Sequence, residues 1–329
     1  MQQSFMKKRI LATIALLTLI IVSAQRLSLA QSAPSGSGFR ISPVRQELSL
    51  APGTSRTVEI AVENITSAPI TAHAIVNDFV ADSSEKGEPK LVLDTSTPPG
   101  STSFRGLVKS IPDLTLAVKE RKIIKVSLTV PPNGASGGYY GAIRFAPVST
   151  DNQNQVSLSA SVGTLYLITV PGNITEKLGI ESLSVSRHGK AGSFFLTSPD
   201  NVSVRLKNTG NIHVKPFGKI AIKNSQGKSV SDVEVNPAPT QDARGNVLPN
   251  SIRRFDTAVK SHFGLGHYSV TANIAYGSSG SALLSAKTSF WIVPLWLIIT
   301  VGVLLVLIIL VIVFLLFRRK KRRYKQRTL

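Results

Sequence analysis

From Leu295 to Phe317 the chain runs for 23 residues without a charged side chain, and Arg318, Arg319, Lys320, Lys321, Arg322 and Arg323 follow at once. At about 1.5 Å per residue such a helix is about 34 Å long, enough to cross a hydrocarbon core of about 30 Å. Trp291 and Trp296, the only tryptophans, stand at its entrance, where amphipathic rings favour the membrane interface. Cations beside a membrane span stay in the cytoplasm. The segment is therefore expected to be a single transmembrane helix over 295–317 with a basic cytoplasmic tail over 318–329. Everything before Trp291 is expected outside. A buried core helix is excluded by the length of the run and by the cation block behind it.

The other end agrees. Lys7, Lys8 and Arg9 precede an apolar stretch, Ile10 to Val22, and small residues follow at Ala24, Ser28 and Ala30. This is the pattern of an export signal over residues 1–30, cleaved after Ala30 or Ala24 or retained as an anchor. Residues 31–38, rich in Ser, Gly and Pro, read as a flexible leader. A net charge of +20 would ordinarily suggest nucleic acid. Eight of the 38 Lys/Arg lie in the tail and four in the export segment, leaving 26 against 18 Asp/Glu outside. The excess therefore belongs largely to topology and headgroup attraction, and no nucleic-acid partner is expected.

The chain contains no cysteine. Small eukaryotic ectodomains are usually stapled by disulfides, so a bacterial surface protein held by its hydrophobic cores is the simpler reading. A lipoprotein anchor and a cysteine nucleophile are excluded as well. The sequons at Asn64, Asn173 and Asn201 read as strand and turn residues.

Between the two ends, apolar residues alternate or come in short runs bounded by Gly, Pro, Asn and Ser, the pattern of strands and turns. Val58, Ile60 and Val62 alternate, Asn64 to Pro69 turns, and Ile70 to Phe79 returns. Strands are further expected over Ile123–Val130, Tyr139–Phe145 and Val156–Val170, the last broken near Gly163. A second set repeats the plan. Val202, Val204 and Leu206 alternate, Asn208 to Asn211 turns, Ile212 to Phe217 returns, and strands follow over Ser251–Val259 and His267–Tyr276. In each set an alternating strand ends in Asn, and a Gly-x-Tyr later opens another strand. Asn64 and Tyr139/Tyr140 thus correspond to Asn208 and Tyr268. The expected fold is an all-β ectodomain of two tandem immunoglobulin-like β-sandwiches, over 39–172 and 173–290, followed by the transmembrane α-helix.

Candidate chemistry is sparse. The five histidines are scattered; His262 and His267 flank one turn but fall short of a metal ligand set, so no metal or cofactor is expected. No Gly-x-Ser-x-Gly elbow appears, and no enzymatic activity is expected. The glycines around Tyr139 and Tyr140 open a strand rather than a helix, so they read as a turn and bulge and not as a phosphate cradle. For ligand binding, Tyr139, Tyr140 and Arg144 are the candidates. Alternation should bury one tyrosine and expose the other.

Phe39 to Pro43, Leu50 to Thr54 leading into Val58–Asn64, Leu128 to Pro131, and Gly137 to Ile143 together resemble the first domain of the WxL-interacting proteins of Gram-positive bacteria. The order of export signal, two sandwiches, C-terminal helix and basic tail is similar too. That resemblance implies a first domain that binds peptidoglycan and a second that contacts a partner surface; it assigns no binding residue here. The sequence thus points to a cell-surface binding protein, single-pass in the bacterial cytoplasmic membrane, whose partners are the lipid bilayer and peptidoglycan, another wall polymer or a surface protein. The alternatives are an accessory subunit of a membrane transport or secretion complex, and a chaperone-like module for exported proteins.

Overall fold

The computed structural model describes residues 38–325, apart from 95, 149–159, 241 and 279, and no side chain from 318 onward. The export signal, nearly all of the leader, the start of the expected 156–170 strand and the side chains of the basic tail lie outside the described residues.

The first sandwich contains β1 (Phe39–Ser42), β2 (Arg45–Ser49), β3 (Ser55–Asn64), β4 (Ile70–Ala81), β5 (Pro89–Leu91), β6 (Leu114–Leu116), β7 (Arg121–Thr129), β8 (Gly137–Pro147) and β9 (Val162–Val170). One sheet runs β1-β3-β7; the other runs β2-β9-β8-β4-β5, with β6 added on β4. The entering chain divides between them. β1 pairs antiparallel with β3, the chain passes a cis Ser42–Pro43 bond, and β2 pairs parallel with β9. Thr164 Oγ1 donates to Pro43 O at 2.7 Å and fixes that crossing. The alternation of β3 buries Val58, Ile60 and Val62, which meet Tyr139, Ile143, Phe145 and Tyr166 across the core. A 3₁₀ turn at Phe104–Leu107 plugs the sandwich, with Phe104 stacked on Tyr166 at 5.3 Å. Only glycine fits opposite it: a Cβ on Gly141 would lie 2.1 Å from Phe104 Cδ1.

The second sandwich contains β10 (Leu178–Arg187), β11 (Lys190–Ala191), β12 (Phe194–Phe195), β13 (Asn201–Asn208), β14 (Phe217–Asn224), β15 (Ser229–Val235), β16 (Ser251–Ala258), β17 (Gly266–Tyr276) and β18 (Ala282–Ile292). Its sheets run β11-β10-β13-β16 and β12-β18-β17-β14-β15. Val202, Val204 and Leu206 of β13 pack into a core with Ile220, Ile222, Val270 and Phe290. At roughly 1.5–3 kcal/mol per fully buried aliphatic or aromatic side chain, each core can hold its sandwich without disulfides.

The expected return strand over Ile212–Phe217 is not formed. Within it Val214 makes one isolated bridge to Val247, and the strand begins only at Phe217, in the opposite sheet. Asn208 holds Ile212 O in a turn, and Pro216 has no N–H to give a ladder. The last strand also runs to Ile292, two residues past the boundary read from the sequence. After Val293 and Pro294 comes α1 (Leu295–Lys325), whose 23-residue segment Leu295–Phe317 contains an 18-residue stretch with a mean hydropathy of 3.6 and is long and apolar enough to cross a membrane.

Candidate functional site

The repeat seen in the sequence is a repeat of hydrogen bonds. Asn64 Nδ2 donates to Ala68 O at 2.8 Å, and its Oδ1 accepts from Thr66 N at 2.8 Å. Asn208 does the same with Ile212 O and Gly210 N, both at 2.8 Å. Tyr139 and Tyr268 match as well, each donating its hydroxyl to the carbonyl four residues earlier: Ala135 O at 2.9 Å and Gly264 O at 3.2 Å. Such a tyrosine, tied back to its own upstream backbone, is a recurring device of immunoglobulin-like sandwiches.

This accounts for Tyr139, which is buried and also donates to Ser101 O at 3.0 Å. Tyr140 points out of the sandwich, as alternation requires, but the second domain covers it, so the expected exposed tyrosine is half-buried. Its hydroxyl accepts from His213 N at 2.7 Å and lies 3.2 Å from His213 Nδ1. Burial pushes its pKa upward; the His213 hydrogen bond opposes this and the Glu47 charge adds to it. Arg144 lies on the same sheet face. Its Nε and Nη2 donate to Asn77 Oδ1 at 3.1 and 2.7 Å, and its Nη1 to Ser161 Oγ at 2.6 Å. The three candidates therefore do not form one cluster: Tyr139 closes a corner, Tyr140 serves the joint, and Arg144 braces the sheet.

The joint is organised on Glu47 of β2. Its Oε1 meets Arg45 Nη2 at 2.6 Å and accepts from Asn246 Nδ2 at 3.0 Å. Its Oε2 meets Lys215 Nζ at 2.5 Å and lies 3.7 Å from His213 Nε2. Burial opposes the charge, but hydrogen bonds with His213, Lys215 and Asn246 outweigh it and hold the carboxyl far below the usual carboxylate range. A second tie lies at Glu85, whose carboxylate takes Arg205 Nε and Nη2 at 2.7 and 2.5 Å, while its carbonyl accepts from Arg254 N at 2.8 Å. Between these ties Gly138 N donates to Asn211 O at 2.9 Å. None of Glu47, Glu85 or Lys215 stands out in the sequence, since their partners lie far along the chain.

Beside the joint a cleft of about 500 Å³ opens between the sandwiches. Tyr140, backed by the buried Phe79, supplies aromatic wall, while Asp78, Thr102, Asn211 and Asn250 bring polar groups to it. That size and mixture suit a ligand of a few rings or residues. Among the described residues no three of His, Cys, Asp and Glu are placed to hold a metal ion.

No protein-family model matches the chain, and no curated protein matches it. Among solved structures it is similar to the class 5 fimbriae chaperone CfaA, at 18% identity and a TM-score of 0.39, over 78% of this chain and 100% of that one. It is similar to the E. coli chaperone DraB at 13% and 0.35, over 77% and 96%. The Pseudomonas aeruginosa CupB2 chaperone gives 13% and 0.32, over 75% and 98%. Identities and superpositions at this level transfer no role to this chain.

Proposed function

We propose that this chain is a non-catalytic binding protein, anchored in the bacterial cytoplasmic membrane by 295–317 with its tail inside, and that it presents two sandwiches outside to a cell-wall polymer, peptidoglycan first. The observation that carries this reading is the cleft at a fixed joint. Its polar groups suit the amides and hydroxyls of a glycopeptide, and the half-buried Tyr140 ring adds an apolar edge. The ion pairs at Glu47 and Glu85 set the shape of the cleft before binding, which lowers the ordering cost of a ligand. The WxL-interacting resemblance supports the same target. The test is sedimentation of the full-length protein in detergent with purified cell walls. Co-sedimentation is expected; protein left in the supernatant that instead co-purifies with a membrane complex would point to an accessory subunit.

A second reading, a module that holds exported clients by strand addition, is favoured by one observation. β7 lies at the edge of the β1-β3-β7 sheet, with Ile123 60% exposed on it. Loss of secreted proteins on deletion, with wall binding absent, would favour it.

A further inference from the structure

We propose that the helix is not the chain's only membrane contact: the end of the second sandwich nearest the helix docks on an anionic lipid surface. The inference rests on the reading of 295–317 as a membrane span. The registers carry it. β12 pairs parallel with β18, setting Phe194 level with Trp291, and Val293 N donates to Phe195 O at 2.9 Å. Leu196 therefore lies level with Val293 on one side. On the other, Gly266 pairs with Ile292, so Leu265 also lies level with Val293. Both leucines stand two strand residues before the helix, about 7 Å at 3.3 Å per residue. The headgroup zone on each side of the hydrocarbon is about 5–8 Å deep, so this level falls within it.

These side chains are bare: Phe194 is 72% exposed, Leu265 53% and Leu196 51%. Phe194 stands on the short edge strand β12 and the two leucines on loops, flanking a strand that continues into an apolar helix, as a lipid-facing rim would. Charge points the same way. The strand ends and loops at this end carry Arg187, Lys190, Lys228 and Lys260, against Asp200 as the one acid over 187–200, 224–229 and 258–267. Apolar residues ringed by cations suit the interface of a membrane containing anionic lipid, which attracts cations near its surface. Docked in this way, the second sandwich would be held against the membrane by a footprint and not by a single tether.

The chain has no cysteine, so a single introduced thiol can be labelled without ambiguity. Full-length variants Leu196→Cys, Leu265→Cys, Leu305→Cys (within the span) and Ala51→Cys (far from it) would carry an environment-sensitive dye. Each would be reconstituted in phosphatidylcholine vesicles with and without phosphatidylglycerol, and quenched by lipids brominated at shallow or deep positions. Dyes at 196 and 265 are expected to shift to the blue and be quenched by shallow bromines, more strongly with phosphatidylglycerol. Lys190→Gln with Lys260→Gln should remove that increment. If 305 is quenched by deep bromines while 196 and 265 emit like 51, docking is overturned and the span stands. If 305 also escapes quenching, the span fails and docking falls with it. Quenching at 196 and 265 that ignores phosphatidylglycerol would overturn the anionic preference.

Discussion

Asn64 and Asn208 are fully buried amides that each close a turn by serving several backbone donors and acceptors at once, partly buried at Asn64 and buried at Asn208. Replacing either by Ala removes several partners at once, and leaving buried backbone groups unpaired costs roughly 1–3 kcal/mol. Asn64→Ala and Asn208→Ala are each expected to destabilise by about 2 kcal/mol, read as a lower urea midpoint of the full chain in detergent. The tyrosine pair should be milder, about 1 kcal/mol for Tyr139→Phe or Tyr268→Phe, since one neutral hydrogen bond to a carbonyl is the main loss in each. The Asn and Gly-x-Tyr recurrence was legible in the sequence because each device bonds within a few residues of itself. Arg144 was legible only as a candidate ligand contact, and Tyr140 only as one of a pair of which one faces outward. Their partners, Asn77, Ser161 and His213, are set by tertiary packing.

At the scale of elements, β2 matters more than its five residues suggest. It carries Glu47, where the first of the joint's two ionic ties gathers. Lys215 is 12% exposed, so Glu47→Gln would leave its charge without its main partner. Breaking such a pair costs roughly 3 kcal/mol, so the variant is expected to loosen the sandwiches relative to each other. A pair of labels, one on each sandwich, would report that as a broadened distance distribution; an unchanged distribution would contradict it. The pH dependence follows from the depressed pKa of Glu47. Stability from a carboxylate lowered on folding is complete above its unfolded value, near 4.3, and is lost progressively as pH falls from there to the folded value. The same label distance should therefore be unchanged between pH 7 and pH 4. Opening between pH 5 and 4 would show that Glu47 titrates as an ordinary carboxylate.

At the scale of the whole molecule, the sequence made the fold class plain because both sandwiches alternate at period two and the helix is apolar all round. It missed the chain's path after Asn208, where a single bridge at Val214 replaces a strand, because a short apolar run looks the same in a turn as in a ladder. It could not show the cleft, which exists only where two separately patterned domains meet. If the proposed function holds, this cleft, held open by the joint, takes a wall polymer. Thr102 lines it from an exposed loop, so Thr102→Trp should fill the space without disturbing either core. The direct measurement is titration of solubilised peptidoglycan fragments onto full-length protein in nanodiscs, wild type against Thr102→Trp. Saturable binding by the wild type, lost in the variant at an unchanged urea midpoint, is expected; equal binding by both, or none by the wild type, would rule the cleft out as the site of a wall polymer.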